Sequence, residues 1–159
     1  MALPKKMIGW REWVSLPGLQ IPAIMVKVDT GARTSALHVD DQWPFVEQGE
    51  PWVGFKIVTG PQFPDVIEAH AKIVDRRGVR DSGGKMSERV FIRTPLVLGG
   101  IEAEVEMNLC HRGKMAFPML LGRTAMRKRF TVDPVKSFLC GREMPTTVQH
   151  GIEEEKCRL

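Results

Sequence analysis

The segment Met25-Val26-Lys27-Val28-Asp29-Thr30-Gly31-Ala32 decides how this chain is read. The apolar run Ala23 to Val28 is rich in β-branched residues and predicts a buried strand. It stops on a carboxylate, a hydroxyl and a glycine in turn. A strand fixes the direction of its last side chain, so Asp29 is expected at the rim of a sheet rather than on a free loop. Gly31 allows a sharp turn or the close approach of a second backbone. The Thr30 hydroxyl can anchor the loop through a hydrogen bond. In isolation, Asp-Thr-Gly is also ordinary turn chemistry.

A distant second segment changes the weighting. Pro118-Met119-Leu120-Leu121-Gly122-Arg123 is an apolar strand ending in Gly-Arg, and Thr124 to Lys128 reads as a short helix after it. A hydrophobic strand entering Asp-Thr-Gly-Ala, followed far downstream by such a Gly-Arg segment, resembles the pepsin and retropepsin class of aspartic proteases. The resemblance implies that the later segment, with Leu121, Gly122 and Arg123, packs beside the catalytic loop. A short helix and a final strand would follow.

At 159 residues the chain can bury the core of one domain, and 43% apolar with 26% charged residues is ordinary for a globular protein. Eleven Pro and fifteen Gly are scattered, as suits many short strands joined by turns. The opening residues Met1 to Met7 lack the apolar core of a secretory signal, and no run nears the roughly 20 apolar residues that span a bilayer. Three cysteines, Cys110, Cys140 and Cys157, without a close pair fit free thiols in a reducing cytoplasm. The expectation is a cytoplasmic protein without a membrane partner.

The net charge of +4 is mild, but Asp75 to Arg93 carries six basic residues against three acidic ones. Such a patch suits an acidic partner, and equally a solvated hairpin. Only Phe91 interleaves with the basic residues, so nucleic acid, which needs stacking platforms, is a weak reading.

Along the chain, strands are expected at Trp10–Leu16, Leu19–Val28 and Thr34–Val39. Asp40–Pro51 reads as a surface connection in which Trp43 and Trp52 cap apolar surface. Val53, Phe55 and Ile57 alternate with their neighbours up to the turn Thr59-Gly60-Pro61. The cleanest alternation lies in Ile67, Ala69, Ala71 and Ile73, and in Ile101, Ala103, Val105, Met107 and Leu109, as in half-buried antiparallel strands. Gly99-Gly100 predicts a hairpin between Val90–Leu98 and Ile101–Leu109. Asp81-Ser82-Gly83-Gly84-Lys85 is a polar, glycine-rich tip. Thr124–Arg129 is the one helix, and Phe130–Pro134 with Ser137–Leu139 is expected to form a closing hairpin. The expected fold is all-β, a retropepsin-like closed barrel of roughly nine or ten strands with one short helix near its C-terminal end. Residues 1–9 are expected as an N-terminal arm, 10–141 as the domain, and 142–159 as a poorly ordered tail.

More of the text is similar to one bacterial branch of the retropepsin-like proteins. Its members are often labelled ATP-dependent zinc proteases, and some are linked to ligases that add glutamates to a ribosomal protein. The matching stretches are Val28 to His38, Arg77 to Gly84, Glu88-Arg89-Val90, Arg112 to Arg123 and Val132-Asp133-Pro134, in that order, within about residues 10 to 140. One departure is Cys110-His111, where the branch often has an acidic residue before the arginine. The label itself finds no motif here: no phosphate loop of the form Gly-x-x-x-x-Gly-Lys-Ser/Thr and no His-Glu-x-x-His. No cofactor or metal is expected, with His38, His111, Cys110 and Cys140 kept as a candidate zinc set.

The resemblance implies catalysis by paired Asp29 carboxylates of a homodimer, because the chain carries one such motif. Thr30, Gly31 and Ala32 would form the active-site loop. Gly83 and Gly84 would tip a mobile flap, and Arg80 and Arg89 would contact a peptide or protein substrate, with glutamate-rich peptides favoured. The rival readings are a non-catalytic binding or adaptor module and a zinc-dependent peptidase.

Overall fold

The computed structural model describes residues 4–58, 66–111, 113 and 115–141. The chain begins with β1 (Lys6–Ile8), β2 (Arg11–Leu16), β3 (Ile21–Val28) and β4 (Ser35–Val39), with a 3-10 turn at Pro17–Leu19. There follow β5 (Asp41–Glu47), β6 (Glu50–Val58), β7 (Val66–Lys72), β8 (Asp75–Arg80), β9 (Met86–Leu98) and β10 (Ile101–His111). It ends with β11 (Met119–Leu121), the single-turn helix α1 (Arg123–Met126) and β12 (Phe130–Val132).

Six of these strands close on themselves in the order β10-β4-β11-β3-β2-β9, because β9 also pairs with β10. Closure removes the open edges of the sheet. The all-β barrel with one short helix near its C-terminal end is therefore what the molecule has. Its interior is filled by alternate residues: Val14, Leu16, Ile24, Val26, Leu37, Ile92, Leu96 and Met107 are all buried. A separate sheet of β5, β6 and β7 lays Val53, Phe55, Ile57, Ala69 and Ala71 on the same core. β8 extends β9 beyond the barrel as an antiparallel hairpin, and β1 pairs with β12 in parallel.

Four local expectations are corrected. Asp40–Pro51 is not a plain connection: Asp41–Glu47 is an edge strand, paired with β6 through a turn at Gln48-Gly49 whose residues both have positive φ. Most of its residues are exposed, so it lacks the inward apolar alternation that marks strands in sequence. Leu19 belongs to the 3-10 turn, and β3 starts only after Gln20, whose left-handed φ of 56° interrupts extension. The helix is one turn, shorter than Thr124–Arg129, and Lys128 takes a positive φ. Phe130–Val132 does not pair with Ser137–Leu139. Its partner is β1, while Ser137–Leu139 crosses β2 without forming a strand. Twelve strands form among the described residues, more than expected, in part because β1 and β5 are recruited by pairing rather than by pattern. The turn at Thr59-Gly60-Pro61 and the segment 142–159 lie outside the described residues, as do Arg112, Lys114, His150 and Cys157.

Candidate active site

β3 carries Asp29 to the mouth of the barrel, and the next five residues lead into β4. β11 is inserted between these two strands, parallel to β3 and antiparallel to β4. The loop is therefore clamped onto the end of β11. The Asp29 amide donates to the Leu121 carbonyl at 2.9 Å. The amides of Arg123 and Thr124 donate back to the carbonyls of Ala32 and Arg33, each at 2.9 Å. The Gly122 amide donates to the buried Ser35 hydroxyl at 3.0 Å. At Gly122 only a hydrogen fits, because a Cβ would stand 2.5 Å from the carbonyl carbon of Thr34. The expected support of the loop by Leu121, Gly122 and Arg123 thus has a backbone explanation.

Asp29 is half-buried, and its Oδ1 accepts the Gly31 amide at 2.9 Å. Among the described residues its second carboxylate oxygen has no protein donor, which leaves it open to a water or to another carboxyl group. Thr30 and Gly31 are exposed and Ala32 is half-buried. The anchoring at Thr30 runs through its carbonyl, which accepts from Arg123 Nη1 at 3.0 Å, rather than through the hydroxyl. That bond engages one nitrogen of the Arg123 guanidinium.

One residue missed in the sequence, Asn108, completes the support. Asn108 continues the outward set of Glu102, Glu104 and Glu106 on β10, yet it is buried. Its Nδ2 donates to the Ser35 carbonyl at 3.1 Å, and its Oδ1 accepts from Arg89 Nη1 at 3.0 Å. The only signal in the sequence was the change from glutamate to a neutral amide at the end of the run. Arg89, expected to face substrate, is half-buried and engaged by Asn108 and by the Ser87 hydroxyl.

Arg80 is exposed, with no ion pair among the described residues. Gly83 and Gly84 lie in the hairpin tip, which Asp81 ties by accepting the Lys85 amide at 2.9 Å. Arg77 braces the base of the hairpin through Asp75 and Glu106 and lies 3.9 Å over the Phe91 ring. Hydrogen bonding to Glu106 holds its guanidinium pKa above the ordinary value. A recess of about 410 Å³ opens beside the loop, lined by Arg33, Arg77, Arg93, Arg127, Glu104 and Glu106 among others. Arg77 and Arg93 share Glu106, whereas Arg33 and Arg127 have no ion pair among the described residues.

The candidate zinc residues are not drawn together. Cys110 faces His38 across the β10–β4 ladder, but His38 Nδ1 is 2.6 Å from the Phe117 carbonyl, and Cys140 lies by Gly99. Among the described residues no three His, Cys, Asp or Glu side chains are close enough to hold a metal ion. Nor is any described helix long and apolar enough to cross a membrane.

Residues 7–143 match the model of the RimB-like family, described as the retropepsin-like aspartic endopeptidase RimB. A Shewanella halifaxensis protein named "Probable alpha-L-glutamate ligase" is 39% identical over 155 residues, covering 96% of this chain and 34% of its own length. A protein of the same name from Parasynechococcus marenigrum is 41% identical over 140 residues, or 86% of this chain and 30% of that protein. The chain thus spans about a third of the length of these relatives. None of them carries the zinc-protease label. The crystal structure of a Legionella pneumophila protein of unknown function, 22% identical, superposes with a TM-score of 0.72 over 86% of this chain and 99% of that one.

Proposed function

Because the chain belongs to the RimB-like family of retropepsin-like aspartic endopeptidases, we propose that it is an aspartic peptidase, active as a homodimer, that cuts glutamate-rich peptides. The observation that carries this reading is the Asp29 carboxylate itself. It sits at the mouth of the barrel on a loop held by β11, with one oxygen fixed by the Gly31 amide and the other without a protein donor among the described residues.

Hydrolysis of a peptide by this chemistry needs two carboxyl groups sharing one proton. Two close carboxylates cannot both ionise easily, so their pKa values separate. The ionised one takes a proton from water as the oxygen attacks the scissile carbonyl, and the protonated one polarises that carbonyl. One chain has one such loop, so the second Asp29 comes from a two-fold-related copy. The exposed Thr30 and Gly31 suit that contact. The β8–β9 hairpin, with Gly83 and Gly84 at its tip, would cover the peptide and exclude water. Arg80, Arg33 and Arg127, without an ion pair among the described residues, can meet substrate carboxylates. The ligase name of the longer relatives supports a glutamate-containing substrate.

A second reading, a non-catalytic module that serves a ligase, is favoured by the chain's matching only a third of those relatives. Cleavage of a glutamate-rich peptide by wild type and by Asp29→Asn, over a hundredfold range of protein concentration, separates the two. The peptidase reading expects cleavage per chain to rise with concentration until the dimer saturates, and to vanish in the variant. Binding without cleavage at every concentration would favour the module.

A further inference from the structure

We propose that Arg89 is a positioning residue that couples the β8–β9 hairpin to the Asp29 loop through Asn108. The inference rests on the peptidase reading for its kinetic consequence, while the coupling itself is a property of the fold. Three contacts carry it: Arg89 Nη1 to Asn108 Oδ1 at 3.0 Å, Asn108 Nδ2 to the Ser35 carbonyl at 3.1 Å, and the Gly122 amide to the Ser35 hydroxyl at 3.0 Å.

Each member has its role set by chemistry. Ser35 is the first residue of β4, where the Asp29 loop ends, so Asn108 on its carbonyl and the Gly122 amide on its hydroxyl together fix the exit of that loop. Ser35 and Asn108 are 0% and 2% exposed, so water does not replace a lost partner. The Asn108 amide donates to a carbonyl from its NH2 end and accepts from a guanidinium at its oxygen, so one short side chain bridges the two. Arg89 lies on β9 opposite Arg77 of β8, within the hairpin. The hairpin and the loop are far apart in sequence, and this path joins them through side chains. A hairpin closing on a peptide would pull on Arg89, and the loop carrying Asp29 would register it. Supporting groups of this kind hold a reacting group within the few tenths of an ångström that catalysis needs.

Two substitutions separate this role from substrate binding. Arg89→Met keeps the stem and removes the donor. Asn108→Asp keeps an acceptor for Arg89 but turns the group facing the Ser35 carbonyl from donor to acceptor. Steady-state kinetics are measured on a matched pair of peptides with acidic and neutral flanks. The expected result is a fall in kcat of about 10- to 100-fold on both peptides, with KM within about threefold in each variant, and partial recovery in Arg89→Lys. A rise in KM confined to the acidic peptide, with kcat unchanged, would make Arg89 a substrate contact and overturn the proposal.

A second measurement needs no activity. Amide hydrogen exchange at Gly31 and Gly122 should quicken about tenfold or more in both variants, while the Phe55 amide in β6 stays protected. Unchanged exchange at Gly31 refutes the coupling, whatever the kinetics. If wild type cleaves nothing while exchange responds as expected, the coupling stands and the peptidase reading alone falls. Arg89 is half-buried, so Arg89→Met keeps the test open even if Asn108→Asp fails to fold.

Discussion

The α-carbon of Gly122 approaches Thr34 so closely that a methyl group there would lie 2.5 Å from the Thr34 carbonyl carbon and 2.6 Å from its oxygen. Both contacts are with backbone, which cannot rotate away. Gly122→Ala must therefore push β11 and the Asp29 loop apart. The expected loss of stability is about 1–3 kcal/mol, read from denaturant unfolding. The expected fall in any Asp29-dependent cleavage is larger, about 100-fold, because displacement of the carboxylate counts more than the strain.

Arg33 and Arg127 flank the recess beside the loop without acidic partners among the described residues. Exposed charge contacts contribute roughly 0.2–1 kcal/mol each. Arg33→Ala combined with Arg127→Ala should raise KM for glutamate-rich peptides about three- to thirtyfold and leave neutral peptides nearly unchanged. Added salt should mimic the loss in wild type and have little further effect in the double variant. Equal losses on both peptides would remove the recess from substrate recognition.

Glu12 is fully buried on β2, and its carboxylate accepts three backbone amides, from Gly9 at 2.7 Å, Leu139 at 2.9 Å and Cys140 at 3.1 Å. It clips the segment after β12 across the barrel wall. Glu12→Gln replaces one acceptor with an NH2 group that faces donors. A loss of about 2–4 kcal/mol is expected, or a drop of about 5–15 °C in Tm. A change under 1 °C would show that the clip contributes nothing.

Burial raises the thiol pKa of Cys110, with Arg89 opposing it, and burial together with the Glu12 charge raises that of Cys140, opposed by Lys6. A raised thiol pKa means that the folded chain keeps its proton after the unfolded chain has lost it. The stability this contributes is fully present below the ordinary thiol pKa of about 8.5 and is lost as pH rises through the folded value. Tm should decline above that pH, and less steeply in a variant with both cysteines changed to alanine. Arg89→Met should also slow alkylation of Cys110, since it removes the opposing positive charge.

The all-β fold was legible in the chain because its signals are local. Ile101 to Leu109 and Ile67 to Ile73 alternate with period two, and one buried face suffices to select a strand and its register. Asp29 was legible for the same reason: it ends a continuous apolar run. β5 and β1 were not, since an exposed edge strand and a three-residue strand exist only once β6 and β12 offer partners. Pairing of Phe130–Val132 with β1 rather than with Ser137–Leu139 was likewise a choice between distant partners, which no local pattern encodes.

The sequence by itself determined which carboxylate stands at the mouth of the barrel and that a Gly-Arg segment accompanies it. Only the tertiary structure decided what each polar group meets. Arg89 looked like one more cation on a basic hairpin, and Asn108 like one more outward residue on an amphipathic strand. Ser35 and Asn108 are 73 positions apart, and Arg89 and Asn108 are 19. They meet because β10 lies parallel to β4 while pairing antiparallel with β9, and that register is set by burying the apolar faces of all three strands at once. A hydrogen bond between side chains on such strands is a consequence of that global packing, so it leaves no trace in the spacing of its own residues.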